Sequence, residues 1–240
     1  MPPAGDQTHS SVELPRSGGS VLALPSQGKR RSRERLLEAM LLTSGEIGYE
    51  QLSVQDVIER AKTSRATFYK YFDDKEDCFV AAYREASEWL YQRLEALAKR
   101  QPSWKEGLRV AVAELLEFCA NQPALARALF VEALAAGGDA MAQHDLLMER
   151  LSHAIDGARR EISSRQAPPP VTAAFMVGAI ETLVRSKLLS DEPETAPDLL
   201  PGILHFVVMQ FYGEDAAWEE LTAAPIATWQ SRRAAATRIP

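Results

Sequence analysis

From Lys29 to Tyr212 apolar residues recur at spacings of three and four, and no stretch sustains the alternation of a half-buried strand. That pattern fits an all-α fold. Leu36, Leu37, Met40 and Leu41 form the first stripe, and Gly45 and Gly48 mark its end. Ser53 precedes a second helix whose buried side is Val54, Val57, Ile58 and Ala61. Asp56, three residues on, makes an Asp variant of the capping box. Ser64 caps a short third helix in "RATFYKYF". Asp73 or Asp74 caps a long fourth one, from Lys75 to Arg100, closed before Pro102. Further helices follow, divided by Pro123, by Gly137–Gly138 and by Pro168–Pro170. Among them are a helix from Pro123 to the Gly pair, one near 171–189 and one near 197–212.

This punctuation divides the chain into four. Residues 1–28, rich in Pro, Ser and Gly, form a tail with too few apolar groups to order itself. Residues 29–75 form a small three-helix head and residues 76–213 a larger helical body. Residues 214–240 form a C-terminal tail, a short helix followed by a frayed end.

A net charge of −6 over 240 residues argues against a polyanionic partner, but the charge is uneven. Residues 29–75 carry ten basic and eight acidic side chains, and residues 76–240 carry sixteen and twenty-three. The run "KRRSRER" reads either as a solvated charge run or as an arm adding phosphate contacts. Cys78 and Cys119 make no disulfide framework and suit a reducing cytoplasm as buried apolar groups. The N-terminus lacks a basic-then-apolar signal pattern. The apolar runs near Phe130 and Val207 are broken by Glu132, His205 and Gln210, short of the roughly 20 residues of a membrane span. The expectation is a cytoplasmic protein without a membrane partner.

Two short helices behind a supporting one make a helix-turn-helix, whose second helix reads the major groove of double-stranded DNA with its N-terminal residues. Here that end presents Ser64, Arg65 and Thr67. Arg binds guanine bidentately; Thr binds a phosphate or touches a thymine methyl. Phe68 faces inward, Tyr69 and Tyr71 have hydroxyls that reach phosphates, and Lys75 joins the N-terminus of the fourth helix in holding one.

The order "GYEQLSVQDVIERAKTSRATFYKYFDDKE" resembles the tetracycline-repressor-like (TetR) family of bacterial transcriptional regulators, over about Arg33 to Tyr83. Gly48–Tyr49, Ser53, Ser64, Arg65, Thr67, Tyr69, Phe72, Lys75 and Glu76 match the family pattern. The resemblance implies a homodimer on a near-palindromic operator and a helical body that binds a small-molecule inducer. By that resemblance Ser53 caps helix two and contacts a phosphate, and Gln55 lies where a side chain often reads bases. Arg65 reads bases, and Thr67 and Tyr69 bind backbone or a base. Tyr71, in place of a frequent His, and Lys75 bind phosphates. The turn departs from the family's Ala-Gly-Val, reading Ala61-Lys62-Thr63. A left-handed Lys62 would cost roughly 1 kcal/mol.

The resulting reading is a DNA-binding regulator, a ligand-responsive repressor; a constitutive regulator without inducer, or an activator, is the alternative. His9, His144, His153 and His205 lack metal-ligand spacing, so no metal and no cofactor is expected. No nucleophile–base arrangement or phosphate loop supports an enzyme. In the body Glu132 projects beside Leu125 and Leu129 on the helix from Pro123. Either that face is partly exposed or the carboxylate pairs with an Arg, or it anchors an inducer, with Phe118 and Trp104 as further candidate lining. Ala174, Gly178 and Thr182 make a row of small residues on the helix near 171–189, flanked by Phe175, Val177 and Leu183. With Phe206 and Met209 on the following helix, that face is the candidate dimer interface, and the family implies a four-helix bundle there.

Overall fold

A computed structural model describes residues 28–162 and 167–222, except the side chains of 28–31 and 222. The expected N-terminal tail up to residue 27 and the last residues of the C-terminal one lie outside that range, and Gly28 begins the first helix. Among the described residues ten α-helices run in order: α1 Gly28–Ile47, α2 Val54–Arg60, α3 Arg65–Tyr69, α4 Lys75–Ala98, α5 Trp104–Asn121, α6 Pro123–Phe130, α7 Gly138–Asp156, α8 Thr172–Leu189, α9 Leu200–Tyr212 and α10 Glu214–Thr222. No strand occurs among the described residues.

The first three helices close over one apolar centre. Leu36, Leu37, Met40, Val57 and Phe68 are fully buried, and Phe79 from α4 completes the cluster. Tyr49 meets Phe79 edge-on at 4.9 Å between ring centroids. The long α4 thus forms the floor of the small helices and, through Tyr83, Leu90 and Leu94, a wall of the larger bundle. Arg33, drawn from the basic run, pairs with Glu85 on α4 at 2.5 Å and so fastens α1 to that floor.

The caps form where the sequence places them. Ser53 Oγ accepts from the Asp56 N–H while the Asp56 carboxylate accepts from the Ser53 N–H, the reciprocal capping box. Asp74, not Asp73, caps α4. Gly48 ends α1 at φ 88, a left-handed conformation that costs a residue with a Cβ about 1–2 kcal/mol.

Two expectations need correction. The helix from Pro123 stops at Phe130, because Val131 leaves helical geometry (φ −122, ψ −60), and a 3-10 turn, Glu132–Leu134, follows. Glu132 therefore does not continue the α6 face of Leu125 and Leu129. On α8, Val177 is buried in the core rather than beside the exposed small residues. The start of the expected C-terminal tail is a docked helix: Ala217 is fully buried, and Glu220 receives two hydrogen bonds from Arg109 on α5. No helix among the described residues is long and apolar enough to cross a membrane.

Candidate DNA-reading interface

The turn between α2 and α3 holds Lys62 at φ 49, so a lysine does occupy the left-handed position. Its backbone N–H donates to Glu59 O, and that of Thr63 to Ile58 O, which closes the turn without glycine. Ser64 then caps α3: Thr67 N–H donates to its Oγ at 3.1 Å, and the two hydroxyls lie 2.9 Å apart. Phe68 is buried and anchors the helix, which leaves Arg65 and Tyr69 on the outer side, both exposed. The Arg65 guanidinium stands 5.9 Å from the Tyr69 ring. Tyr71 is half-buried, with the Lys70 ammonium 5.9 Å from its ring. Gln55 is exposed and donates to Glu59. Ser53, Gln55, Ser64, Arg65, Thr67, Tyr69 and Tyr71 thus lie on α2, α3 and their flanks.

Lys75 has a second occupation. Its Nζ donates to Tyr49 O and Leu52 O, each at 3.0 Å, and sits 4.3 Å from the Tyr49 ring centroid. It clamps the α1–α2 loop from the start of α4. An ammonium has three donors, so one remains for a phosphate. Burial, reinforced by Glu76 and Asp74, pushes the Tyr49 phenol up to about 12, so it stays neutral.

The three side chains expected around an inducer stand apart. Trp104 is at the start of α5, donating through Nε1 to Ala154 O and packing on Phe211 and Tyr212. Phe118 is fourteen residues along the same helix, about 21 Å away at the helical rise, against Trp89 of α4. Glu132 is buried, and its Oε2 accepts from the Tyr49 N–H at 2.8 Å, across 83 residues of sequence. Sequence reading offers no signal for that bond.

It offers none for the buried polar group of the body either. His144 on α7 has Nδ1 3.1 Å from Tyr83 Oη and Nε2 3.0 Å from Glu181 Oε1 on α8. His144 holds the Glu181 carboxyl below its ordinary range, through the hydrogen bond first, against the opposing effect of burial; Arg185 adds to the lowering. Burial pushes the Tyr83 phenol and the Cys78 thiol well up, and the Cys119 thiol up to about 12. Both cysteines are buried and protonated, hence unreactive.

The sequence pattern of the bacterial regulatory proteins of the tetR family matches residues 31–82, the stretch that builds this interface. Residues 31–82 thus carry a TetR-family domain. Among curated relatives, the transcriptional repressor KstR of Rhodococcus jostii is 27% identical over 133 residues, 53% of this chain and 61% of its own. KstR of Mycolicibacterium smegmatis is 29% identical over 119 residues, 48% of this chain and 58% of its own. The chain therefore spans less than two thirds of the length of the curated relatives it matches. Its fold is that of the fatty acid degradation regulator FadR from Bacillus halodurans, with a TM-score of 0.65 and 16% identity over 73% of this chain and 97% of that one. FadR from Bacillus subtilis, solved with stearoyl-CoA, gives 0.64 and 19% over 75% and 97%.

Beyond that domain, α8 and α9 present an apolar face to solvent. Phe175 is 69% exposed, and Val171, Leu183, Phe206 and Met209 are also exposed large apolar groups. Ala174, Gly178 and Thr182 lie among them on the exposed side of α8, and nothing stands within 4 Å of a Cβ built at Gly178.

Proposed function

We propose that the chain is a ligand-responsive transcriptional repressor that binds a near-palindromic operator as a homodimer, without enzymatic activity. The observation that carries the reading is α3. A capped helix anchored by buried Phe68 presents Arg65, Thr67 and Tyr69 outward, behind a turn that α1 and α4 support. Arg65 reads a guanine, Thr67 and Tyr69 contact backbone or a base, and Ser53, Tyr71 and the third donor of Lys75 meet phosphates.

The dimer uses the α8–α9 face. An apolar surface of that kind on a monomer marks an interface, and a second copy related by a two-fold axis covers it with the same residues. Two heads then enter successive major grooves one helical turn apart, about 34–36 Å. A ligand that binds more tightly to a body with another head spacing lowers operator affinity by its differential affinity for the two states. Stearoyl-CoA, bound by one structural relative, is the first ligand to test.

Footprinting of the full chain on DNA upstream of its own gene tests the reading. Protection of two half-sites about one turn apart is expected. Uniform binding to unrelated duplexes, or none, refutes it.

A further inference from the structure

Glu132 stands between the DNA-reading head and α8. It is 7% exposed, and its Oε2 accepts from the Tyr49 N–H. Tyr49 belongs to the α1–α2 loop, whose carbonyls at Tyr49 and Leu52 are clamped by Lys75, and Leu52 directly precedes the Ser53 cap of α2. Holding the Tyr49 N–H therefore fixes the entry to the helix-turn-helix. On its other side, Glu132 Oε1 lies 4.0 Å from Arg127 Nη2, attracted but beyond hydrogen-bond length. Arg127 in turn donates through Nη1 to Leu188 O, 3.0 Å away in the last turn of α8. Its Nε is buried and has no hydrogen-bond partner among the described residues.

Nε and Nη2 share one edge of the guanidinium, the edge a carboxylate engages with two parallel hydrogen bonds. The carboxylate thus has two arrangements available. On the head it satisfies the Tyr49 N–H and leaves Arg127 Nε unsatisfied. On Arg127 it satisfies Nε and Nη2 and deprives the Tyr49 N–H of its acceptor. Each arrangement leaves one buried donor without an acceptor, which is unfavourable in both. The shift needed to bring 4.0 Å to charge-assisted hydrogen-bond length is about 1 Å. The break of α6 at Val131 places Glu132 in a short 3-10 turn, not inside a rigid helix.

We infer that Glu132 is a positioning residue: its carboxylate holds the head by the Tyr49 N–H, and its transfer to Arg127 releases the head. The inference rests on the proposed repressor reading and names the regulation of that same site. Displacement of the end of α8 moves Arg127 through Leu188 O, so an event at the dimer helix or in the body reaches the α1–α2 loop by one exchange of partners. That is the two-state element that coupling between distant sites requires.

Hydrogen exchange of the full chain, with and without the footprinted duplex, tests it on Glu132→Ala, Glu132→Gln and Arg127→Met. Glu132→Ala removes the acceptor: Tyr49 amide protection falls about tenfold or more, and operator affinity falls about tenfold. Glu132→Gln keeps an amide oxygen for Tyr49 and keeps both. Arg127→Met removes the competing partner and leaves Tyr49 protection equal or higher. Unchanged Tyr49 exchange in Glu132→Ala, an equal loss in Glu132→Gln, or faster Tyr49 exchange in Arg127→Met overturns the inference. So does wild-type operator affinity in a Glu132→Ala protein whose Tyr49 is deprotected. If Glu132→Ala does not fold, Arg127→Met decides: retained Tyr49 protection supports the exchange of partners, and lost protection refutes it. The exchange arms need no DNA, so a wild-type chain that ignores every duplex refutes the repressor reading while Tyr49 still reports on the hold.

Discussion

Gly45 in α1 lies against the backbone of Ala124 in α6: a Cβ at 45 would stand 2.5 Å from the Ala124 carbonyl carbon and overlap its oxygen. Helix α1, part of the small head, thus crosses the first turn of α6 at backbone contact. Thirteen residues after Ala124, Gly137 faces Glu76 of α4, where a Cβ would stand 3.0 Å from the carboxyl carbon. Between these points Glu132 holds the Tyr49 N–H. The segment from Ala124 to Gly137 therefore meets α1, the α1–α2 loop and α4 in turn.

Gly45→Ala tests the first of these contacts. The neighbouring atoms are backbone and cannot rotate aside, so α1 and α6 must separate. Overpacking of this kind costs about 1–3 kcal/mol. Urea denaturation should show the unfolding free energy lowered by that amount and the midpoint with it, and a wild-type midpoint would mean that the helices do not meet so closely.

Arg65→Ala bears on the reading helix. Arg65 is exposed, and the fold does not depend on it. The variant should keep its thermal midpoint while operator affinity falls by about 1–3 kcal/mol and one operator position loses its base preference. Binding to a set of single-base operator variants reads both. An unchanged preference at every position would remove Arg65 from base readout.

Much of this interface is legible in the sequence because its signals are local. A cap three residues from its partner, an apolar stripe and a turn all lie within the 24 residues from Ser53 to Glu76. The left-handed turn at Lys62 is foreseeable from the missing glycine. What escapes is everything that joins distant segments. Glu132 finds Tyr49 across 83 residues, and Tyr83 finds His144 across 61. Neither pairing leaves a periodic trace, and Glu132 is misread when a helix is extended past Val131. Lys75 illustrates a milder gap, since its position suggests a phosphate ligand and gives no hint of the two carbonyls it clamps.

Lys75→Met separates those two roles. The variant keeps an apolar stem over Tyr49 but loses both hydrogen bonds to Tyr49 O and Leu52 O. Loss of charged donors to buried carbonyls should lower stability by about 1–3 kcal/mol. If the third donor meets a phosphate, the slope of log affinity against log salt becomes shallower by about one unit. Denaturation of the free protein and a salt series with the operator measure the two separately. A wild-type midpoint would refute the clamp.

Glu181 carries a pH dependence whose sign is fixed. Its folded carboxyl is held below the ordinary value of 4.5 by His144, with Arg185 assisting. A depressed carboxyl contributes stability that is fully present above 4.5 and is lost as pH falls through the lowered folded value. Glu181→Gln cannot titrate, so its stability should fall less steeply than that of the wild type below about pH 4.5. Urea midpoints taken from neutral pH down to about 3 decide it, and parallel curves would mean that the His144 contact does not form.

Gly178→Arg addresses the assembly. Gly178 lies on the exposed side of α8, between Ala174 and Thr182, with Thr182 Oγ1 bonded to its carbonyl. Nothing stands within 4 Å of a Cβ there, so one subunit accommodates an arginine without strain. In a two-fold interface the same position meets its own neighbourhood on the second copy, and two guanidinium groups enter one apolar contact. Burying unpaired charge in that contact is costly, while leaving the subunits apart is not. Sedimentation should therefore show a monomer with wild-type helical content. Operator affinity should collapse with it, because a single head holds one half-site. A Gly178→Arg protein that stays dimeric places the interface on another face, and the exposed Phe175 would then need another partner.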